Sequence, residues 1–189
     1  MIQDKIENLI PRIEREIKKL FYITNEDYAG LLTDQGRLLG LPVDQNTFSI
    51  KFKYSSPQEW INELLSISQS DAALRYPFIY VNSNTVVQDD DQVHIGEIVI
   101  AINAQSDWTS IQRDIYSFDP ILNNIYRFFV DGCKISRDFS LISKGTKKDH
   151  YFYGRQGLYG GEANKFSDYV DAIEINNLKI RLYKKCYDK

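Results

Sequence analysis

The chain predicts an α+β fold, with a mainly antiparallel or mixed sheet and two to three helices packed on one face. Three observations predict it. A helical apolar period fills residues 2–20. Two further helix starts carry their own capping residues. The remaining apolar runs are short, alternate with period two and are bounded by turn residues. At 189 residues the sequence fits one domain spanning 1–189. A chain of this size buries roughly 70% of its unfolded surface, so it needs neither a disulfide nor a metal to fold.

Ile2, Ile6, Leu9, Ile10, Ile13, Ile17 and Leu20 recur at helical spacing among Lys, Glu and Arg, which defines an amphipathic helix over residues 1–21. Pro11 interrupts it. A proline in a helix interior costs about 3 kcal/mol, so a kink or a fresh start is expected near residue 11. LLTDQGRLLGLP, residues 31–42, suggests a hairpin with Asp34-Gln35-Gly36 at its turn. In TFSIKFKY, Phe48, Ile50, Phe52 and Tyr54 face one way and Ser49, Lys51 and Lys53 the other, a half-buried strand. Ser56, Pro57 and Glu59 read as N-cap, N1 and N3 of a helix with a capping box. Its buried stripe is Trp60, Ile61, Leu64 and Leu65.

PFIYV, residues 77–81, is the next strand. The polar stretch Asn82–Gln92 follows, with Asp89, Asp90 and Asp91 as a solvated turn. HIGEIVIAINA, residues 94–104, reads as the central strand. Ile98, Ile100 and Ile102 lie on one face and Val99 and Ala101 on the other, so both faces are covered. SDWTSIQRD reads as a loop. A helix then starts at Asp119 as N-cap with Pro120 at N1, buries Ile121, Leu122, Ile125, Phe128 and Phe129, and stops at Gly132. The remainder reads as strands: FSLIS, HYFY after the basic turn KGTKKD, DAIEI, and LKIRLYKK.

Composition narrows the function. The net charge of −3 lacks the basic surplus of a general nucleic-acid binder. Cys133 and Cys186 follow no CxxC spacing, no apolar run reaches the ~20 residues of a membrane span, and no signal-peptide pattern opens the chain. A soluble, cytoplasmic protein with free thiols is the expectation. Thirteen tyrosines, ten phenylalanines and two tryptophans make 13% of the chain. Tyr and Trp are favoured where a side chain is buried at one end and wet at the other, as at protein interfaces.

The glycine-rich stretch YFYGRQGLYGGEANK, residues 151–165, tests the chemical readings. A phosphate-binding loop needs a Lys-Ser/Thr pair opening a helix after its glycines. Here Glu162-Ala163-Asn164-Lys165 follows, so no nucleotide or other cofactor is expected. The glycines instead permit a long excursion that presents aromatic groups, and such a loop is an aggregation hazard unless a partner covers it. His94 and His150 have no nucleophile signature beside them and read as structural or surface residues. Asp89, Asp90 and Asp91 lack the glycine and the terminal glutamate of a calcium loop. Asp168, Asp171 and Glu174 suggest a divalent-metal nuclease, yet the lysine such a strand needs two residues after its acid is absent. No catalytic or metal-binding residue is therefore assigned. Lys144, Lys147 and Lys148 read as a solvated basic turn.

Two stretches carry a resemblance. HIGEIVIAINAQSDWTSIQRDIYSFDPILNNIYRFF resembles neck and tail-completion proteins of tailed bacteriophages, especially crAss-like and other Bacteroidales phages. The matching positions are Ile98 to Ala104, Trp108, Thr109, Arg113, Ser117, Phe118, Pro120, Ile121 and Leu122. FSDYVDAIEINNLKI resembles the C-terminal strand of the same family, and together the two cover under half of the chain. The resemblance implies a tail terminator-like fold and a non-enzymatic virion protein, a head-to-tail connector or tail terminator. Such a protein forms a ring of six or twelve copies around the DNA channel. Its partners would be itself and neighbouring neck, portal or tail proteins, with DNA only as passing cargo and no membrane contact. It would reside in the virion, and in the host cytoplasm during assembly. Tyr151, Tyr153, Arg155, Leu158, Tyr159 and Trp108 are the expected subunit or partner contacts. A cytosolic dimeric adaptor of a mobile element and the metal nuclease are the alternatives.

Overall fold

A computed structural model describes residues 1–22, 48–66, 76–153 and 169–183. The hairpin expected at 31–42 lies outside these residues. So do Asp168, Cys186 and the contact residues Arg155, Leu158 and Tyr159.

The N-terminal helix is divided in two. Helix α1 spans Ile2–Glu7 and α2 spans Ile10–Tyr22. Pro11 falls in the first turn of α2, where a missing N–H leaves no intrahelical bond unmade. Ile6, Leu9, Ile10, Ile13 and Ile17 are all buried, as the period requires.

Strand β1, Lys51–Ser55, leads into helix α3, Pro57–Ser66. The capping box forms as read: Ser56 N–H donates to Glu59 Oε2 at 3.0 Å, and Glu59 N–H donates to Ser56 Oγ at 3.4 Å. Strand β2, Phe78–Asn82, is buried throughout. The polar stretch after it holds more order than the sequence suggests: a turn at Ser83–Thr85, strand β3 at Val86–Asp89, and a tight reversal through Asp90 (φ 51°) into β4, Gln92–Asn103.

The segment read as a loop before Asp119 is helical. Helix α4, Ser110–Arg113, runs through a π-helical segment, Asp114–Leu122, into α5, Asn123–Lys134. Thr109 is the true N-cap. Its N–H donates to Gln112 Oε1 at 2.9 Å, and Gln112 N–H donates to Thr109 Oγ1 at 3.3 Å. Asp119 and Pro120 therefore lie within a helical run and do not begin one. A proline lacks the N–H and crowds the carbonyl four residues back; a widened π turn is one way to relieve both. Gly132 does not end α5, which continues two residues further to Lys134.

Strands β5, Phe139–Ser143, and β6, Thr146–His150, are followed by β7, Val170–Leu182. Two expectations are corrected here. The basic stretch read as a turn supplies β6, and Tyr151–Tyr153 turns away from it. DAIEI and LKIRL form one strand, with Asn177 (φ 63°) in its middle.

The seven strands make one mixed sheet, ordered β1-β2-β4-β7-β5, with β3 also on β4 and β6 also on β7. The pair β1–β2 is parallel and the others antiparallel. Helices α1, α2 and α5 pack on one face, over Ile79, Val81, Ile98, Ile100, Ile102, Ile173 and Ile175. The mixed sheet and the α+β class agree with the reading. The other face carries α3, whose Trp60 stacks on Tyr80 (5.8 Å, 7°) and meets Phe78 edge-on at 5.0 Å.

A crease crosses this sheet. Val93 and Ile95 bury on the same face as Ile98, Ile100 and Ile102, and Ile173 and Ile175 on the same face as Leu178 and Ile180. The period of two thus breaks once in each long strand, at Gly96 and at Asn177, which sit at the same level of the β4–β7 register. At that level β2 gives way to β3 on one side, and β5 to β6 on the other. A Cβ on Gly96 would lie 2.8 Å from Thr85 Cβ. Gly145 (φ +72°) packs against the Asn176 carbonyl with no room for a side chain.

Candidate interaction surface

The surface forms where four segments meet at one end of the sheet: the end of β4, the start of α4, the turn after β6 and the start of β7. Arg113 ties them together. Its Nη1 donates to Asp171 Oδ1 at 2.5 Å and its Nη2 to the Gln105 carbonyl at 2.6 Å. Its guanidinium lies over the Phe152 ring at 3.7 Å. Asp171 Oδ1 also accepts from Phe152 N–H at 3.4 Å, and Tyr153 N–H donates to the Val170 carbonyl at 2.7 Å. Phe152 has φ 55°, an uncommon conformation for a bulky residue. The knot fixes the base of the glycine-rich stretch.

Arg113 and Asp171 are fully enclosed, at 1% and 0% side-chain exposure. Burial pushes the Asp171 carboxyl up from its ordinary range, opposed by the Arg113 guanidinium, the nearby Ser117 hydroxyl and the Phe152 N–H. Arg113 Nε, Ser117 Oγ and Asp171 Oδ2 make no hydrogen bond of good geometry. A buried pair with unmet capacity adds little net stability. What it does fix is the position of the chain around it.

Outside this knot lies an apolar and aromatic surface. Ile111 and Ile115, one helical turn apart, are 68% and 48% exposed, and Tyr151 is 43% exposed. Tyr151 meets Phe118 edge-on at 5.3 Å, and its hydroxyl donates to Asp114 Oδ1 at 2.7 Å. That bond pushes the phenol up to about 12. Trp108 packs against Tyr116 at 5.2 Å. Trp108 and Tyr151, named from the sequence, thus join the same helical stretch. Ile111 and Ile115 escape a reading of that stretch as a loop; the Thr109-x-x-Gln112 capping box is the sequence signal that places them on a helix.

Tyr153 goes elsewhere. It is half-buried against the second sheet face, with its hydroxyl 3.5 Å from Glu97 Oε1. Burial, then Glu97 and Glu174, push its phenol far above the ordinary range. Around it stands a polar floor. Asn82 Nδ2 donates to Glu97 Oε2 at 2.6 Å, Asn176 Nδ2 donates to Glu174 Oε1 at 2.5 Å, and His150 Nε2 lies 2.9 Å from Glu174 Oε2. His94 Nε2 lies 3.1 Å from Asn177 Oδ1. Both histidines therefore bridge neighbouring strands. Among the described residues, no group of three His, Cys, Asp or Glu side chains is placed to hold a metal, and no helix is long and apolar enough to cross a membrane.

Comparison with family models, with curated proteins and with solved structures finds no match for this chain.

Proposed function

We propose that this chain is a structural, non-enzymatic virion subunit that assembles with copies of itself into a ring at the head–tail junction of a tailed phage. The observation that carries the self-assembly is the exposure of Ile111, Ile115 and Tyr151, large apolar and aromatic groups on the segments that the Arg113–Asp171 pair ties together. Exposed apolar groups gathered on one part of a surface are a mark of a protein contact. The sheet edges favour the same surface over strand addition. Lys51 and Lys53 stand on β1, and Lys147 and Lys148 on β6, and lysines on edge strands oppose pairing with another sheet. Placement at the phage neck rests on the resemblance of the Ile98–Ala104 and Trp108–Leu122 stretches.

Among the described residues, the candidate groups Asp171, Glu174 and Cys133 are engaged in structure. Asp171 is held by Arg113, Glu174 by Asn176 and His150, and Cys133 is buried. Native mass spectrometry of the purified protein, alone and mixed with the phage portal, tests the reading. A six- or twelve-copy species in either sample is the expected result. A monomer or dimer in both would overturn the ring in favour of an adaptor, and magnesium-dependent DNA cutting would overturn it in favour of an enzyme.

A further inference from the structure

The run from Ser110 to Lys134 carries two apolar patterns, and its winding uses one of them. Ile111, Ile115, Phe118, Leu122, Ile125 and Phe129 follow at spacings of four, three, four, three and four, the pattern of a regular α-helix with one buried face. At about 3.6 residues per turn, Ile111 would stand about five full turns before Phe129 and Ile115 about four. Arg113 would stand about four and a half turns before it, on the opposite face. The structure does otherwise. Phe118, Leu122, Ile125 and Phe129 are buried, yet Ile111 and Ile115 face water at 68% and 48% exposure while Arg113 is enclosed.

The π-helical segment Asp114–Leu122 makes this difference. Its wide turns hold more residues than α turns, so the stretch before it is rotated about the axis relative to α5. Arg113, Ser117 and Ile121, spaced by four, then follow Ile125 into the interior. Asn123 N–H donates to the Phe118 carbonyl, five residues back. Asn124 Nδ2 donates to the Asp119 and Pro120 carbonyls at 3.3 and 2.7 Å, so a side chain serves acceptors inside the run. Two features hold the wide winding. Pro120 has no N–H for the Tyr116 carbonyl that an α turn would pair with it, and its ring would crowd that carbonyl. Arg113 is kept inside by Asp171. Against them stand two exposed isoleucines and the unmet capacity of buried Arg113 Nε and Ser117 Oγ. An α winding would bury the first and bring the second to water.

We infer that Ser110–Lys134 is a two-state winding device: its π form presents Ile111 and Ile115, and an all-α form turns them onto the sheet and turns Arg113 out to water. The irregular residues 104–109, between β4 and the helix, take up the rotation. Switching elements commonly have two packings of the same residues close in free energy. A partner that seats on Ile111 and Ile115 draws the population to the π form, since the other form offers it nothing to bind. In its use, though not in its physics, this rests on the self-assembly proposed above. The contact surface is on display in one winding and withdrawn in the other.

The test is a reporter thiol. In a Cys133→Ala and Cys186→Ser background, Ile111→Cys reports on the winding, and Arg127→Cys, at an exposed position of α5, is the control. Ellman's reagent at pH 8 should label both promptly in the folded protein. Pro120→Ala with Asp171→Asn removes both holds, and circular dichroism checks that the protein is folded. This pair should slow labelling at position 111 by about tenfold or more and leave position 127 unchanged. Pro120→Ala alone should slow it by less, and it replaces the pair if the pair fails to fold. Labelling at 111 that stays as fast in every folded variant overturns the second winding, as does equal slowing at 111 and 127. Sedimentation velocity of the same substitutions without the reporter separates the winding from assembly. Loss of assembly together with slowed labelling supports the device and its use. Slowed labelling with assembly intact upholds the winding and overturns its link to the contact. A wild type that is monomeric at every concentration overturns the self-assembly alone, since labelling reads the winding in a single copy.

Discussion

Arg113 and Asp171, 58 residues apart in the chain, meet at 2.5 Å with both side chains out of water. Removing one partner leaves the other charge buried and alone. Arg113→Met or Asp171→Leu should therefore each destabilise the fold by about 3–5 kcal/mol. The double replacement Arg113→Met with Asp171→Leu should recover most of that loss, since a buried ion pair is often matched by apolar groups of similar volume. Urea denaturation of the four proteins measures both effects. Near-equal losses that simply add in the double variant would show that the two charges do not act as a pair.

Tyr151 titrates against Asp114. Its phenol is held up to about 12 by the bond to that carboxylate. Folding raises the value, so the contribution of the bond is complete below about pH 10 and is lost as pH rises through 12. A difference ultraviolet titration between the wild type and Tyr151→Phe isolates this phenol. Asp114→Asn should bring its midpoint back toward about 10.

Cys133 is a test of burial. Desolvation pushes its thiol up to about 12 from 9, which lowers the thiolate fraction at pH 8 roughly a thousandfold. In a Cys186→Ser background, Ellman's reagent should leave the folded protein almost unlabelled at pH 8. It should label one thiol per chain at once in denaturant. Rapid labelling of the folded protein would contradict the packing of α5 on the sheet.

Gly96 admits no side chain. Its added Cβ would stand 2.8 Å from Thr85 Cβ, a contact that only a backbone shift relieves. Gly96→Ala should cost about 1–3 kcal/mol and shift the denaturation midpoint accordingly. Gly132→Ala should instead stabilise by up to about 1 kcal/mol, because Gly132 lies inside α5 and the nearest atom to its added Cβ is Leu9 Cδ2 at 3.6 Å, an ordinary contact.

Local signals were legible and distant ones were not. The alternation of Ile98 to Ile102 located the central strand, and Ser56-Pro57-Gln58-Glu59 located the start of α3, because both are written in adjacent residues. Asp119-Pro120 misled for the same reason: a strong local start signal lies inside a run already begun at Thr109, and a π-helical turn accommodates it. The lysines of β6 concealed a strand, since an edge strand uses charge where an inner strand uses apolar residues. The Arg113–Asp171 contact spans most of the C-terminal half. The sequence offers only an arginine at helical spacing with Ser117 and Ile121, a weak sign of inward placement.

The crease also makes β4 and β7 a keyed pair. Regular strands can slide past each other by two residues and still present the same side chains to the core. Here each strand has a single notch, at Gly96 and at Asn177, and the notches coincide. A slide of two residues would part them, leaving a β4 face reversal opposite unreversed β7 and sending isoleucines to both sides of the sheet. Only one alignment of the two longest strands keeps every isoleucine indoors, so the defect that interrupts the pattern is also what makes the pairing unique.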